Sequence, residues 1–138
     1  EKMGAYDNIC YGGNLPSDEV PSKLDRGFGL VWDGSSIEGC LGDAGQYLRY
    51  NNPHKLSLYL SSGLPVVIWN GAAEADFVRG NGLGLTAASL PELIDRMARL
   101  TEEEYLEYVR NISSVREQLI HGCYGRTALQ KALELVRR

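Results

Sequence analysis

The chain has 138 residues, 43% of them hydrophobic and 23% charged, with a formal net charge of −4. That length suits one domain with a real core, and the acidic balance argues against a protein that grips nucleic acid through bulk positive charge. No apolar run reaches the ~20 residues a membrane-spanning helix needs; the longest, GLPVVIW, reads as a buried strand.

The amino end, EKMGAYDNICYGG, lacks a basic stretch followed by an apolar core, so no secretory leader is expected. It starts abruptly before an apparent strand, Tyr6 to Gly13, as a segment of a longer protein would. DEVPSKLD predicts a short helix interrupted by Pro21. GFGLVWDG, Gly27 to Gly34, predicts a second strand running into an Asp-Gly turn. The glycine-rich GSSIEGCLGDAG that follows is too irregular for an element and long enough for a functional loop.

Next comes a helix expected over Pro53 to Ser62, with Asn52 as its N-cap, Pro53 at the first helical position and Gly63 just past its end. PVVIWN has the near-continuous hydrophobicity of a strand covered on both faces. AAEADFVRGN predicts a helix ended by Gly80, and GLGLTA a short last strand. From Ser89 the chain is expected to be helical nearly to its end. Ser89 caps one helix with Pro91 and Glu92 in its first turn, and Thr101 caps the next ahead of a run of glutamates that suits the helix dipole. GRTALQKALELVRR closes on a basic tail. Short apolar runs alternating with amphipathic stretches give an α/β fold with a mainly parallel sheet.

The three cysteines, Cys10, Cys40 and Cys123, are widely spaced and odd in number. That fits neither a disulfide framework nor a zinc site, and reduced thiols in a cytoplasmic setting are the simplest account. With only His54 and His121 to join them, no metal is expected. His121, Cys123, Tyr105 and Tyr108 read as packing or surface residues.

Chemistry concentrates at the expected ligand edge of the sheet, beyond the carboxyl ends of the strands. In YNNPHK, the helix start offers free N–H groups at His54 and Lys55, half a unit of positive dipole charge, and the full charge of Lys55. Tyr50 and Asn51 add donors beside the cap. A plain capped helix with a solvated lysine is the competing reading, and residue types alone do not separate the two. Asp33 and Gly34 end one strand, as a ligand contact or as a simple turn. Gly12, Gly13 and Asn14 end another, as a nucleotide loop or as a turn. Glu74, at the start of a helix, is a cap-region acid or a sugar-contacting carboxylate.

GFGLVWDG, YLRYNNPHKLSLYLSSGLPVVIW and AAEADFV with the following NGLGL resemble the carboxyl-terminal half of bacterial galactofuranosyltransferase-like glycosyltransferases, a group that includes glucosyltransferases acting on adhesin glycans. The likeness runs over most of the chain, and YNNPHK followed by SLYL and GLPV is its most specific part. It implies a Rossmann-like three-layer sandwich, the second half of a GT-B enzyme, ending in several helices. Residues 1–138 would be a single nucleotide-sugar-binding domain whose amino-terminal acceptor domain lies elsewhere in the parent protein.

The resemblance further implies a UDP-sugar donor, a glycan or glycoprotein acceptor, and hexosyl transfer without a cofactor or metal. Tyr50, Asn51, Asn52, Pro53, His54 and Lys55 would hold the diphosphate, with Lys55 neutralising the leaving UDP. Gly12, Gly13, Asn14, Asp33, Gly34 and Glu74 would line the nucleotide or sugar pocket. The catalytic base would come from the other half, so the isolated domain should not turn over. Homo-oligomers, and a parent enzyme in the bacterial cytoplasm at the inner face of the membrane, fit the same likeness. A non-catalytic nucleotide-binding or assembly module is the alternative that shares this pocket. A flavodoxin-like or receiver domain fails for want of a magnesium-binding acidic cluster.

Overall fold

The computed structural model describes residues 7–137. The expected abrupt start at residues 1–6, including Tyr6 of the expected first strand, and Arg138 of the basic tail lie outside them. Residues 7–13 form a turn and irregular backbone where a strand was expected. Ile9 is 46% and Tyr11 63% exposed, so neither a strand partner nor a packed face rewards extension there. Helix α1, Val20–Lys23, accepts Pro21 in its first turn, where a missing N–H costs no helical bond.

Three strands form one sheet: β1 (Gly29–Val31), β2 (Val66–Trp69) and β3 (Gly84–Ala87), in the order β1-β2-β3 and parallel throughout. Val31 pairs with Ile68, and Ile68 with Thr86. β2 is buried at every position, as its unbroken VVIW requires of a central strand with both faces covered. Gly84 sits against the backbone of Val66 with φ of 147°, a close approach that any β-carbon would obstruct.

Helices cover both sheet faces. On one, Val31, Val66 and Ile68 pack with Leu56 and Leu60 of α3 (His54–Ser61), Val78 of α4 (Ala75–Gly80), and Ile112 and Val115 of α6 (Glu102–Ile120). On the other, Val67, Leu85 and Ala87 pack with Leu93 of α5 (Leu90–Arg99). The result is a three-layer α/β sandwich of Rossmann-like character. Ser89 accepts the Glu92 N–H at 3.2 Å and caps α5, and Thr101 with Glu104 completes a capping box on α6. Helix α7 (Cys123–Val136) lies along α6 and has no buried residue among those described.

The glycine-rich loop hides a short helix, α2 (Gly42–Tyr47), that composition did not predict. Its formation depends on tertiary contact: Gly45 is buried on the backbone of Cys40, and Leu48 after it is fully buried. No helix among the described residues is long and apolar enough to cross a membrane.

Candidate functional site at the carboxyl edge of the sheet

The segment Tyr50–Lys55 reaches the sheet edge by way of α2 and a turn. Leu48 anchors it from within: its carbonyl accepts the Ala73 N–H at 2.9 Å, tying the turn to the loop after β2. Helix α3 then starts at His54, one residue later than expected, and Asn52 is not its N-cap. Pro53 takes that place in extended geometry, φ −72° and ψ 133°, and its carbonyl accepts the Leu56 N–H at 3.0 Å. Because Pro53 is itself extended and not helical, Asn52 lies one residue outside the cap position. No side chain caps α3, which leaves the His54 and Lys55 N–H groups without a capping acceptor at the positive end of the helix dipole.

The rest of the segment divides by burial. Tyr50 is 83% exposed, Asn52 and His54 are exposed, and Pro53 is buried. The Asn51 side-chain oxygen is buried with no hydrogen-bond partner, the one such side-chain atom among the described residues. A buried amide oxygen without a donor is costly, which marks this turn as locally unsatisfied.

Lys55 is not solvated freely. Its Nζ donates to Asp33 Oδ1 at 2.7 Å and to the Trp32 carbonyl at 3.4 Å, so two residues singled out separately meet beyond the end of β1. The two side chains keep 41% and 36% of their surface exposed, and a pair this open adds little stability. Gly34, with φ of 113°, is needed for packing: a β-carbon would stand 2.5 Å from the Leu41 carbonyl oxygen. Trp32 Nε1 donates to the Ser36 carbonyl at 3.2 Å, and Leu90 N–H to the Ile37 carbonyl at 2.7 Å, so the loop after β1 is held at both flanks.

Glu74 immediately precedes α4 and makes no capping bond through its side chain. It lines a cleft of about 380 Å³ with Asn52, Leu56, Ser57, Leu60, Phe77, Leu119 and Tyr124, a volume suited to a small organic ligand. Gly12, Gly13 and Asn14 are not brought to this cleft. They line a separate cavity of about 490 Å³ with Val20, Lys23 and Leu24, because residues 7–13 form no strand whose end could aim them at the edge.

Two residues at this edge were not anticipated. The Arg49 guanidinium lies 4.7 Å over the Trp69 ring at the end of β2, and its Nε donates to Gln46 Oε1 at 2.8 Å. A basic residue directly before YNNPHK was the available signal. Cys40 is fully buried beneath the Asp33 loop, and burial pushes its thiol above the ordinary value. The Asp33 backbone N–H opposes that rise, the Asp33 carboxylate adds to it, and Lys55 opposes it. Nothing in the cysteine spacing could have placed it there.

Residues 1–132 match the family model described as "Glucosyltransferase 3-like, C-terminal domain". The chain is 39% identical over 131 residues to the beta-1,6-galactofuranosyltransferase WbbI of Escherichia coli (strain K12), covering 93% of this chain and 39% of that protein. It is 31% identical over 134 residues to glucosyltransferase 3 of Streptococcus gordonii, covering 96% of this chain and 39% of the relative. Against glucosyltransferase 3 of Streptococcus parasanguinis the identity is 28% over 119 residues, covering 86% of this chain and 34% of the relative. The chain thus spans about two fifths of the length of the first two relatives.

Proposed function

We propose, from the premise that the chain belongs to the glucosyltransferase 3-like C-terminal domain family, that it is the donor-binding domain of a hexosyltransferase using a UDP-sugar. The observation that carries this reading is the uncapped start of α3 together with Lys55 of its first turn, whose ammonium reaches Asp33 at the end of β1. The His54 and Lys55 N–H groups, a positive dipole end and an ammonium belong to the same helix turn, and a diphosphate is the part of a sugar nucleotide that can use all three.

In this reading the first turn of α3 and Lys55 stabilise the negative charge that develops on departing UDP, the task a metal performs in other transferases. The Glu74 cleft would receive a hydroxyl-bearing part of the donor, with the carboxylate accepting from those hydroxyls and Phe77 and Leu119 excluding water. The base that deprotonates the acceptor hydroxyl, and the acceptor contacts, belong in this proposal to the portion of the longer protein that these residues do not span. Its relatives carry the names of a galactofuranosyl- and a glucosyltransferase, so a hexose is the shared expectation for the transferred sugar.

Calorimetric titration of UDP into the chain, with EDTA present throughout, tests the assignment. UDP should bind without a divalent cation, and Lys55→Ala should weaken binding by roughly 1–3 kcal/mol, the range for a hydrogen bond to a charged group. Equal affinity in the two proteins would refute the diphosphate site, and strict magnesium dependence would refute the metal-free mechanism.

A further inference from the structure

We infer that Asp33 is a positioning residue that holds Lys55 as an internal counter-anion when no ligand is bound and yields it to an incoming diphosphate. The inference rests on the diphosphate reading of α3 and adds to it a second state of the same lysine.

Asp33 and Lys55 belong to different elements, one just past β1 and the other in the first turn of α3, and their contact at 2.7 Å is made across 22 residues. The lysine is thereby stretched towards the strand end, where the Trp32 carbonyl takes a second bond at 3.4 Å. Because more than a third of each side chain remains in water, the pair is weak enough to exchange.

A diphosphate seated on the uncapped turn would bring at least two negative charges beside the Asp33 carboxylate. The carboxylate and the ligand cannot both keep the ammonium at short range without facing each other. The ligand has the helix N–H groups as additional partners and Asp33 has open solvent, so Asp33 rotates outward and Lys55 passes to the diphosphate. A tethered carboxylate competes at high local concentration. It therefore suppresses binding of anions that offer the lysine no more than it does, such as a carboxylate or chloride, and it speeds departure of the spent diphosphate by recapturing Lys55. Asp33 is in this way a determinant of anion selectivity.

The test is a titration of inorganic pyrophosphate, and separately of acetate, into the chain and its Asp33→Asn, Asp33→Ala and Lys55→Ala variants. Both Asp33 variants should bind pyrophosphate about 2- to 5-fold tighter, the equivalent of releasing an exposed ion pair, and should lose discrimination against acetate. Affinity equal to or weaker than that of the unaltered chain overturns the exchange. Lys55→Ala separates the two ideas. If it binds pyrophosphate as the unaltered chain does, the diphosphate site itself fails; if it binds weakly while the Asp33 variants show no gain, only the exchange fails. In the unaltered chain the carboxyl carbon resonance of Asp33 should move on saturation with pyrophosphate. A resonance that stays fixed overturns the exchange whether or not the variants fold.

Discussion

The backbone of Cys40 occupies the space in which a β-carbon on Gly45 would stand. That contact joins α2 to the loop after β1 and so determines where the turn leading to Lys55 is placed. The intruding neighbour is main chain, which cannot rotate away as a side-chain tip would. Gly45→Ala should therefore lower stability by about 1–3 kcal/mol, the usual cost of overpacking. It should also weaken UDP binding although Gly45 touches no ligand. Thermal melting and titration of the same sample check both, and an unchanged melting temperature would show that the loop relaxes freely.

The capping box on α6 predicts a stability loss of about 1 kcal/mol for Thr101→Ala. Thr101 N–H donates to Glu104 Oε2 at 2.8 Å and Glu104 N–H donates to Thr101 Oγ1 at 3.2 Å. The Thr101 backbone N–H, and then its hydroxyl, hold the Glu104 carboxyl below its ordinary value of 4.5. A depressed folded value adds stability above pH 4.5 that disappears as pH falls through it. Denaturation followed from pH 6 downward should show a shallower acid decline in Thr101→Ala than in the unaltered chain.

The alkaline side behaves in the opposite sense. Burial raises the Cys40 thiol above 9.0 and the Tyr108 hydroxyl above 10.0. A group raised by folding contributes stability that is intact below its unfolded value and lost as pH climbs towards the folded one. Unfolding midpoints should fall as pH rises from about 9, and Cys40→Ala should remove the earlier part of that fall. Since the thiolate is the reactive form, alkylation at pH 8 should modify exposed Cys10 first and Cys40 last. Prompt labelling of Cys40 would mean that the Asp33 loop opens in solution.

Arg49 stacked on Trp69 gives a fourth expectation. Arg49→Ala should cost about 0.5–1 kcal/mol, as for an exposed cation–π pair, and should change indole emission because the ring at the end of β2 loses its cover. Chemical denaturation followed by fluorescence measures both effects in one experiment. No change in emission would place the guanidinium away from the ring.

Elements whose signal is local could be read from the residues. The unbroken VVIW of β2 announces a strand covered on both faces, and Ser89 and Thr101 each cap a helix where their spacing to Glu92 and Glu104 requires. Elements that depend on distant partners could not. Residues 7–13 carry strand-like residue types but have no neighbour to pair with. Helix α2 has poor helical composition and forms because Gly45 fits on Cys40. Asn52 has the chemistry of a cap, but Pro53 is extended and takes the cap position, so the helix starts one residue later. The candidate site follows the same rule. Lys55, Asp33 and Glu74 were each conspicuous by type and position, whereas the bond between Lys55 and Asp33 exists only once β1 and α3 are packed side by side. Gly12 to Asn14 were conspicuous too, and they line a different cavity.

The central position of β2 carries a kinetic consequence. Its amides are hydrogen bonded within a strand flanked on both edges and buried along its whole length, so they become accessible to solvent deuterium only when the sheet itself comes apart. Amides in the loop after β1 and in the turn before α3 have no such shelter and exchange through local opening. The domain thus pairs a slow clock in its middle with a fast one at its rim, and a ligand that closes the rim will be seen first as a slowing of the fast clock.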